Sequence, residues 1–180
     1  GAHVCVCGCM AQKDGEEVLA MAGVSAVLGS SNKSDIVEVA GRLAAGEDKI
    51  NAVKEIRREK TFEQMEISRP AGRTRGYIKI CDGCDNYCSY CIIPYARGPV
   101  RSRSLKSIVS EAERLGKSGV KEVVLTGIHV SSYGKDLQNC GFLDVLSALE
   151  RVEGIARVRL SSLEPTLLTE EFCAEAAKLS

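Results

Sequence analysis

Short apolar runs alternating with amphipathic stretches set the pattern of the chain. Residues 4–6 and 24–28 read as strands, and residues 16–22 and about 35–45 read as helices. In the second helix Ile36, Val37, Val39, Ala40 and Leu43 share one face, and Asp35 with Glu38 has the spacing of a capping box. Residues 1–50 therefore read as an α/β unit. Residues 51–72 are polar and charged, with Arg57, Arg58, Glu59 and Lys60 in succession and Pro70-Ala71-Gly72 at the end, a linker composition. From 73 to 180 the alternation repeats: strand 77–80, a cysteine loop, helix 105–117, strand 122–126, helix 142–152, strand 156–160, helix 170–179. Ser104 and Thr169 stand where N-caps belong. Repeated β/α units with short turns imply a parallel sheet or a barrel, and three units are too few to close one. The fold class expected is α/β, a partial (β/α) barrel preceded by part of a small α/β domain.

Composition narrows the function classes only locally. An apolar share of 44% suffices for a core, and 24 basic side chains balance 24 acidic ones, so net charge gives no argument for nucleic acid or membrane. Between residues 66 and 106, however, eight basic residues face three acids, and this stretch surrounds the grouped cysteines. The cysteines number nine, without a signal peptide, a long apolar run or a regular disulfide framework. Grouped cysteines in such a chain point to metal in a soluble, cytoplasmic protein. The chain opens on Gly1 and stops within a helix at Ser180, as an internal piece of a longer protein would.

The chemistry is concentrated where Cys84, Cys88 and Cys91 put three thiols on one short loop directly after a strand. Iron–sulfur clusters are normally held by four cysteines, so three on a loop leave one iron open. A structural zinc or a set of buried thiols is the plainer alternative, although zinc prefers two pairs of ligands and no second pair follows at finger spacing. Cys81 lies just outside the motif and reads as a strand-end residue. Cys5 and Cys7 alternate on a strand and read as core thiols; Cys140 and Cys173 read as ordinary residues, the latter on a helix face. Tyr77, Tyr87 and Tyr95 serve either packing or stacking.

The C-x-x-x-C-x-x-C spacing is the signature of radical-SAM enzymes, and the chain resembles that superfamily here. The wider run Thr74-Arg75-Gly76-Tyr77-Ile78-Lys79-Ile80, the triad, and Ile92-Ile93-Pro94-Tyr95-Ala96-Arg97-Gly98-Pro99-Val100-Arg101-Ser102-Arg103 are similar to the methylthiotransferases. The resemblance implies a 4Fe-4S cluster on Cys84, Cys88 and Cys91 whose open iron chelates S-adenosyl-L-methionine, with Tyr90 against the adenine. Gly8-Cys9-Met10-Ala11-Gln12 resembles the last cysteine motif of that family's N-terminal domain. Cys9 would then ligate a second 4Fe-4S cluster whose other cysteines lie upstream of Gly1. The expected architecture is accordingly the C-terminal part of a methylthiotransferase N-terminal domain followed by the N-terminal half of a radical-SAM barrel.

Leu125-Thr126-Gly127-Ile128-His129 and Arg157-Val158-Arg159-Leu160-Ser161-Ser162-Leu163-Glu164-Pro165 look like the MtaB-type branch, which adds a methylthio group at C2 of N6-threonylcarbamoyladenosine beside the tRNA anticodon. Branches acting on isopentenyladenosine or on a ribosomal protein aspartate differ at Gly127-Ile128-His129, and a cluster-binding module without catalysis is a further alternative. The resemblance places the backbone of Thr126 and Gly127 at the amino group of S-adenosyl-L-methionine, against a bare strand-to-loop turn. His129 is equally a structural histidine or a substrate contact, and Glu164 and Pro165 could face the pocket. Arg97, Arg101 and Arg103 follow the cluster loop and suit tRNA phosphates, the alternative being a solvated basic turn. Further partners implied are an electron donor such as flavodoxin or ferredoxin, and no membrane. The 180 residues alone are expected not to turn over tRNA.

Overall fold

A computed structural model describes residues 1–65 and 74–179, which divide into two compact units. The expected linker begins within the first unit, and its residues 66–72 lie outside the described residues.

The first unit comprises Gly1–Met65 together with Gly83–Pro99. Its sheet has the order β1 (Val4–Cys7), β2 (Val24–Leu28), β3 (Ile50–Ala52), all parallel. The central strand β2 is buried at every position, because neighbouring residues on a strand face opposite ways and both ways are covered. Ala26 and Leu28 pack with Val39 and Leu43 of α2 (Ile36–Ala44), while Val24 and Val27 pack with Ala11 and Val18 of α1 (Cys9–Ala20). Helix α1 starts well before the expected 16–22 and is broken at Asp14, whose φ and ψ of −120° and 37° are not helical.

The apolar face expected on α2 is narrower than the sequence suggests. Val39 and Leu43, one turn apart, are buried, whereas Ile36, Val37 and Ala40 are exposed. The capping box of Asp35 and Glu38 does not form. Asp35 closes a 3₁₀ turn, Lys33–Asp35, and makes no side-chain cap bond; it pairs with Lys54 at 2.7 Å, which holds its carboxyl below the usual range. Of the two thiols expected in the core, Cys5 is half-buried against the α2 side and Cys7 is exposed. Cys7 ends an edge strand, where the chain turns away at Gly8.

The second unit carries the expected β/α repeat. Strands β4 (Arg75–Asp82), β6 (Glu122–Gly127) and β7 (Arg157–Leu160) are parallel, and the short β5 (Arg101–Ser102) joins antiparallel at the edge, giving the order β5-β4-β6-β7. Ile78, Ile80, Val123 and Leu125 form one face of the sheet. They pack against Ile108, Ala112 and Leu115 of α4 (Leu105–Lys117), Val145 and Leu149 of α5 (Phe142–Glu150) and Phe172 of α6 (Glu170–Ala176). Phe142 and Phe172 stack in parallel with centroids 6.2 Å apart, fastening α6 to α5. Thr169 caps α6 as expected, its Oγ1 accepting from Phe172 N at 3.1 Å. Ser104 occupies the N-cap of α4 without a side-chain bond; its carbonyl accepts from Ser107 and Ile108. The opposite face of the sheet presents Tyr77 and Lys79 beside Val124 and Thr126 in register, with Arg159 beside Val124.

Candidate functional site

Residues 83–99, a loop and the short helix α3 (Ile93–Arg97), leave the sheet at the end of β4 as a closed excursion. Its neck is tight. Gly83 has φ 75°, a region costly for residues with a Cβ, and a Cβ there would strike the carbonyl oxygen of Pro99. Cys84 N donates to Gly98 O at 3.1 Å across the same neck. At the far end Cys91 N donates to Cys88 O at 2.9 Å, making a turn of the last two cysteines. Gly98, also at positive φ, lies so close to the carbonyl of Ile56 that a side chain would not fit. Ser30 Oγ donates to the carbonyl of Ala96 at 2.6 Å, tying α3 to the N-terminal sheet.

The three thiols differ in setting: Cys84 is buried, Cys91 is half-buried and Cys88 is exposed. Among the described residues, no three His, Cys, Asp or Glu side chains converge as one metal ion requires. A structural zinc needs four donors converging on a point. A cluster needs thiolates that each reach a separate iron, and the three cysteines stand on one short loop with the spacing that such ligands require. Tyr90, between the last two cysteines, is 90% exposed.

Cys9 is the first residue of α1, and Arg97 Nε lies 3.0 Å from its sulfur. Arg97 was expected at tRNA phosphate; in the structure its guanidinium donates toward a thiol 88 residues earlier in the chain. No local pattern could have announced that pairing. Arg101 and Arg103 are corrected more sharply, being 1% and 3% exposed. Arg103 forms an ion pair with buried Glu111 and donates from Nε to Ser107 Oγ at 3.0 Å, and Arg101 Nη2 lies 3.9 Å from Asp82 Oδ2. Arg103 is held inside the fold by a carboxylate, and Arg101 is buried as deeply, so neither guanidinium is exposed to a phosphate backbone in this structure.

In the second unit Thr126 and Gly127 end β6, where Thr126 Oγ1 donates to Ile78 O at 3.4 Å. A Cβ at Gly127 would collide with the sulfur of Cys81, so the backbone there stays bare. Cys81 is wholly buried and donates to His129 O at 3.4 Å; burial pushes its thiol up to about 11, so it stays protonated. His129 is a bridge: Nδ1 lies 2.5 Å from Ser132 Oγ and Nε2 lies 2.7 Å from Glu164 Oε1, while Glu164 N donates to Ser131 Oγ at 2.9 Å. The loops after β6 and β7 are thereby joined at the C-terminal ends of parallel strands, the end where α/β sheets bind ligands. Sequence reading marked both residues without their partnership. The available signal was their common position, just past consecutive parallel strands. Pro165 begins the 3₁₀ turn Pro165–Leu167 beyond Glu164. Cys140 is half-buried, 3.8 Å from the Tyr133 hydroxyl, and Cys173 is exposed.

Comparison with known proteins bears on the family and the fold. The family model of the Radical SAM superfamily matches residues 78–179, more than half of the chain. Threonylcarbamoyladenosine tRNA methylthiotransferase MtaB of Bacillus subtilis is 38% identical over 93% of this chain and 38% of its own length. The tRNA-2-methylthio-N(6)-dimethylallyladenosine synthase of Koribacter versatilis is 35% identical over 96% of this chain and 39% of its own. The ribosomal protein uS12 methylthiotransferase RimO of Prochlorococcus marinus is 37% identical over 95% and 37%. The chain thus spans about two fifths of the curated relatives it matches, and three differently named activities stand at similar identity. A solved structure, the radical S-adenosylmethionine methyltransferase TsrM of Kitasatospora setae, has the same fold with a TM-score of 0.68 at 18% identity, over 98% of this chain and 40% of that one. The α/β class with radical-SAM β/α units and the resemblance to methylthiotransferases are borne out, and the cofactors of the family are a 4Fe-4S cluster and S-adenosylmethionine. On the match across residues 78–179, the chain belongs to the Radical SAM superfamily.

Proposed function

We propose that the chain is part of a tRNA methylthiotransferase that adds a methylthio group at C2 of N6-threonylcarbamoyladenosine beside the anticodon. The observation that carries the reading is the clamped loop that bears Cys84, Cys88 and Cys91, in a chain aligned along nearly its whole length with methylthiotransferases. Cys84, Cys88 and Cys91 would hold the 4Fe-4S cluster that binds S-adenosylmethionine. When bound, the cluster supplies the electron that cleaves S-adenosylmethionine and begins radical chemistry. The chain's own residues position and shield. Tyr90 offers its exposed ring to the adenine. The bare backbone at Thr126 and Gly127 receives the amino group. Cys9 ligates the second cluster, with Arg97 donating to its sulfur.

The resemblance of Gly127-Ile128-His129 and Glu164-Pro165 to the threonylcarbamoyl branch supports that substrate over the two others, and the His129–Glu164 contact holds the two segments together. The partners in this reading are tRNA and a reductant such as flavodoxin or ferredoxin, in the cytoplasm. Among the described residues no helix is long and apolar enough to cross a membrane.

The test is nucleoside mass spectrometry of tRNA from a host lacking its own methylthiotransferases and supplied with the protein in its natural length. Methylthiolated threonylcarbamoyladenosine, lost with Cys88→Ala, is expected. Methylthiolated isopentenyladenosine, or a modified ribosomal aspartate with unmodified tRNA, moves the assignment to a sister branch.

A further inference from the structure

The loop carries two aromatic side chains that the cluster reading leaves unused. Tyr87 and Tyr95 are 55% and 48% exposed, yet they are fixed against each other edge to face, with centroids 5.8 Å apart and planes at 86°. The Arg57 guanidinium lies 5.5 Å from the centroid of Tyr95. Arg57 belongs to a 3₁₀ turn, Ile56–Arg58, far from Tyr95 in sequence. The two are locked together by the close approach of Gly98 to the Ile56 carbonyl. The acids of the turn are occupied locally: Glu55 accepts from Arg57 N at 3.3 Å and Glu59 from Thr61 N at 2.9 Å. Arg57 and Arg58 are both exposed, and Arg57 lies beside the exposed ring of Tyr95.

Rings that only packed would lie under other side chains. These are oriented without being covered, as a platform that accepts a flat π-face and a phosphate requires. We propose that Tyr87, Tyr95 and Arg57 form a stacking site for an unpaired RNA base close to the target nucleotide. The site rests on the tRNA reading above. It transfers the RNA contact from buried Arg101 and Arg103 to a surface built of exposed rings and guanidinium groups. An aliphatic ligand offers the rings no π-face and a bare carboxylate uses only the guanidinium, whereas a nucleotide offers both a π-face and a phosphate.

The experiment uses the cluster-loaded protein in its natural length and a fluorescent anticodon stem-loop RNA, with anisotropy measured over a range of salt. Tyr87→Ala and Tyr95→Ala are expected to weaken binding roughly 5- to 150-fold each. Tyr95→Phe keeps the stack and stays within about 3-fold of wild type. Arg57→Gln lowers the slope of log K against log salt by about 0.7 to 1. Iron and sulfide content reports whether each variant keeps its cluster; should the alanine variants lose it, the Phe and Gln variants decide. Alanine variants that bind like wild type, together with an unchanged salt slope in Arg57→Gln, overturn the platform and leave the tRNA reading standing. A wild-type protein that binds no RNA overturns both.

Discussion

Removing the carboxylate of Glu111 tests whether Arg103 belongs to the fold or to a substrate surface. Both side chains are buried, and Ser107 and Glu111, one turn apart on α4, face the guanidinium together. In Glu111→Ala the charge on Arg103 stays in the interior without its carboxylate. Breaking one side of such a pair costs about 3–5 kcal/mol, against about 0–1 kcal/mol for an exposed pair. For a domain of this size that amounts to a fall in Tm of more than about 10 °C. The double variant Arg103→Met/Glu111→Leu replaces the pair by apolar groups of similar volume, and it should recover to within about 2 kcal/mol of wild type. Urea unfolding followed by circular dichroism reads all three. A Glu111→Ala protein within about 0.5 kcal/mol of wild type would refute the argument, because the guanidinium would then be reaching water. So would a stable Arg103→Met protein whose RNA binding loses about one unit of salt slope, since that is the mark of a phosphate contact.

Three smaller perturbations probe other parts of the structure. Burial raises the Cys81 thiol from 9.0 to about 11, so the unfolded chain loses this proton first as pH rises. Stability should therefore fall between about pH 9 and 11, by about 2 kcal/mol more in wild type than in Cys81→Ala, as read by denaturant midpoints at each pH; equal slopes would contradict it. Gly83 and Gly119 both have positive φ, but only Gly83 has a carbonyl where a Cβ would sit. Gly83→Ala should lose iron and sulfide on reconstitution, and Gly119→Ala should keep them at a comparable backbone cost. Thr169→Ala removes the cap on α6 and should cost about 1 kcal/mol in thermal unfolding.

What sequence could and could not reveal divides on the range of the interactions. The β/α alternation was legible because each strand and helix turns its apolar residues inward at its own period, as Ile78, Ile80 and Leu125 do on the sheet and Ile108, Ala112 and Leu115 do on α4. The first half of α1 was missed because only Ala11 and Val18 of that helix are buried, too few to show a helical stripe. Helix α3 and strand β5 span five and two residues, shorter than any period can register. The cysteine triad is a pattern within one short loop, so its spacing could be read without the tertiary structure; that one of the three is buried, one half-buried and one exposed could not. The burial of Arg101 and Arg103 was not legible because a basic run looks the same whether solvated or buried; the carboxylate that holds Arg103 stands at Glu111, on another element. The Arg97–Cys9 and His129–Glu164 contacts are likewise products of tertiary structure.

The central claim is that Cys84, Cys88 and Cys91 hold a cluster that cleaves S-adenosylmethionine. The protein should be reconstituted anaerobically with iron and sulfide, reduced, and given S-adenosylmethionine, with Cys88→Ala beside it and 5′-deoxyadenosine as the product measured. An oxygen-sensitive cluster with sulfide present, and deoxyadenosine that disappears in the variant, is the predicted result. Uptake of zinc without sulfide, or a cluster and a product that survive the loss of Cys88, would contradict it.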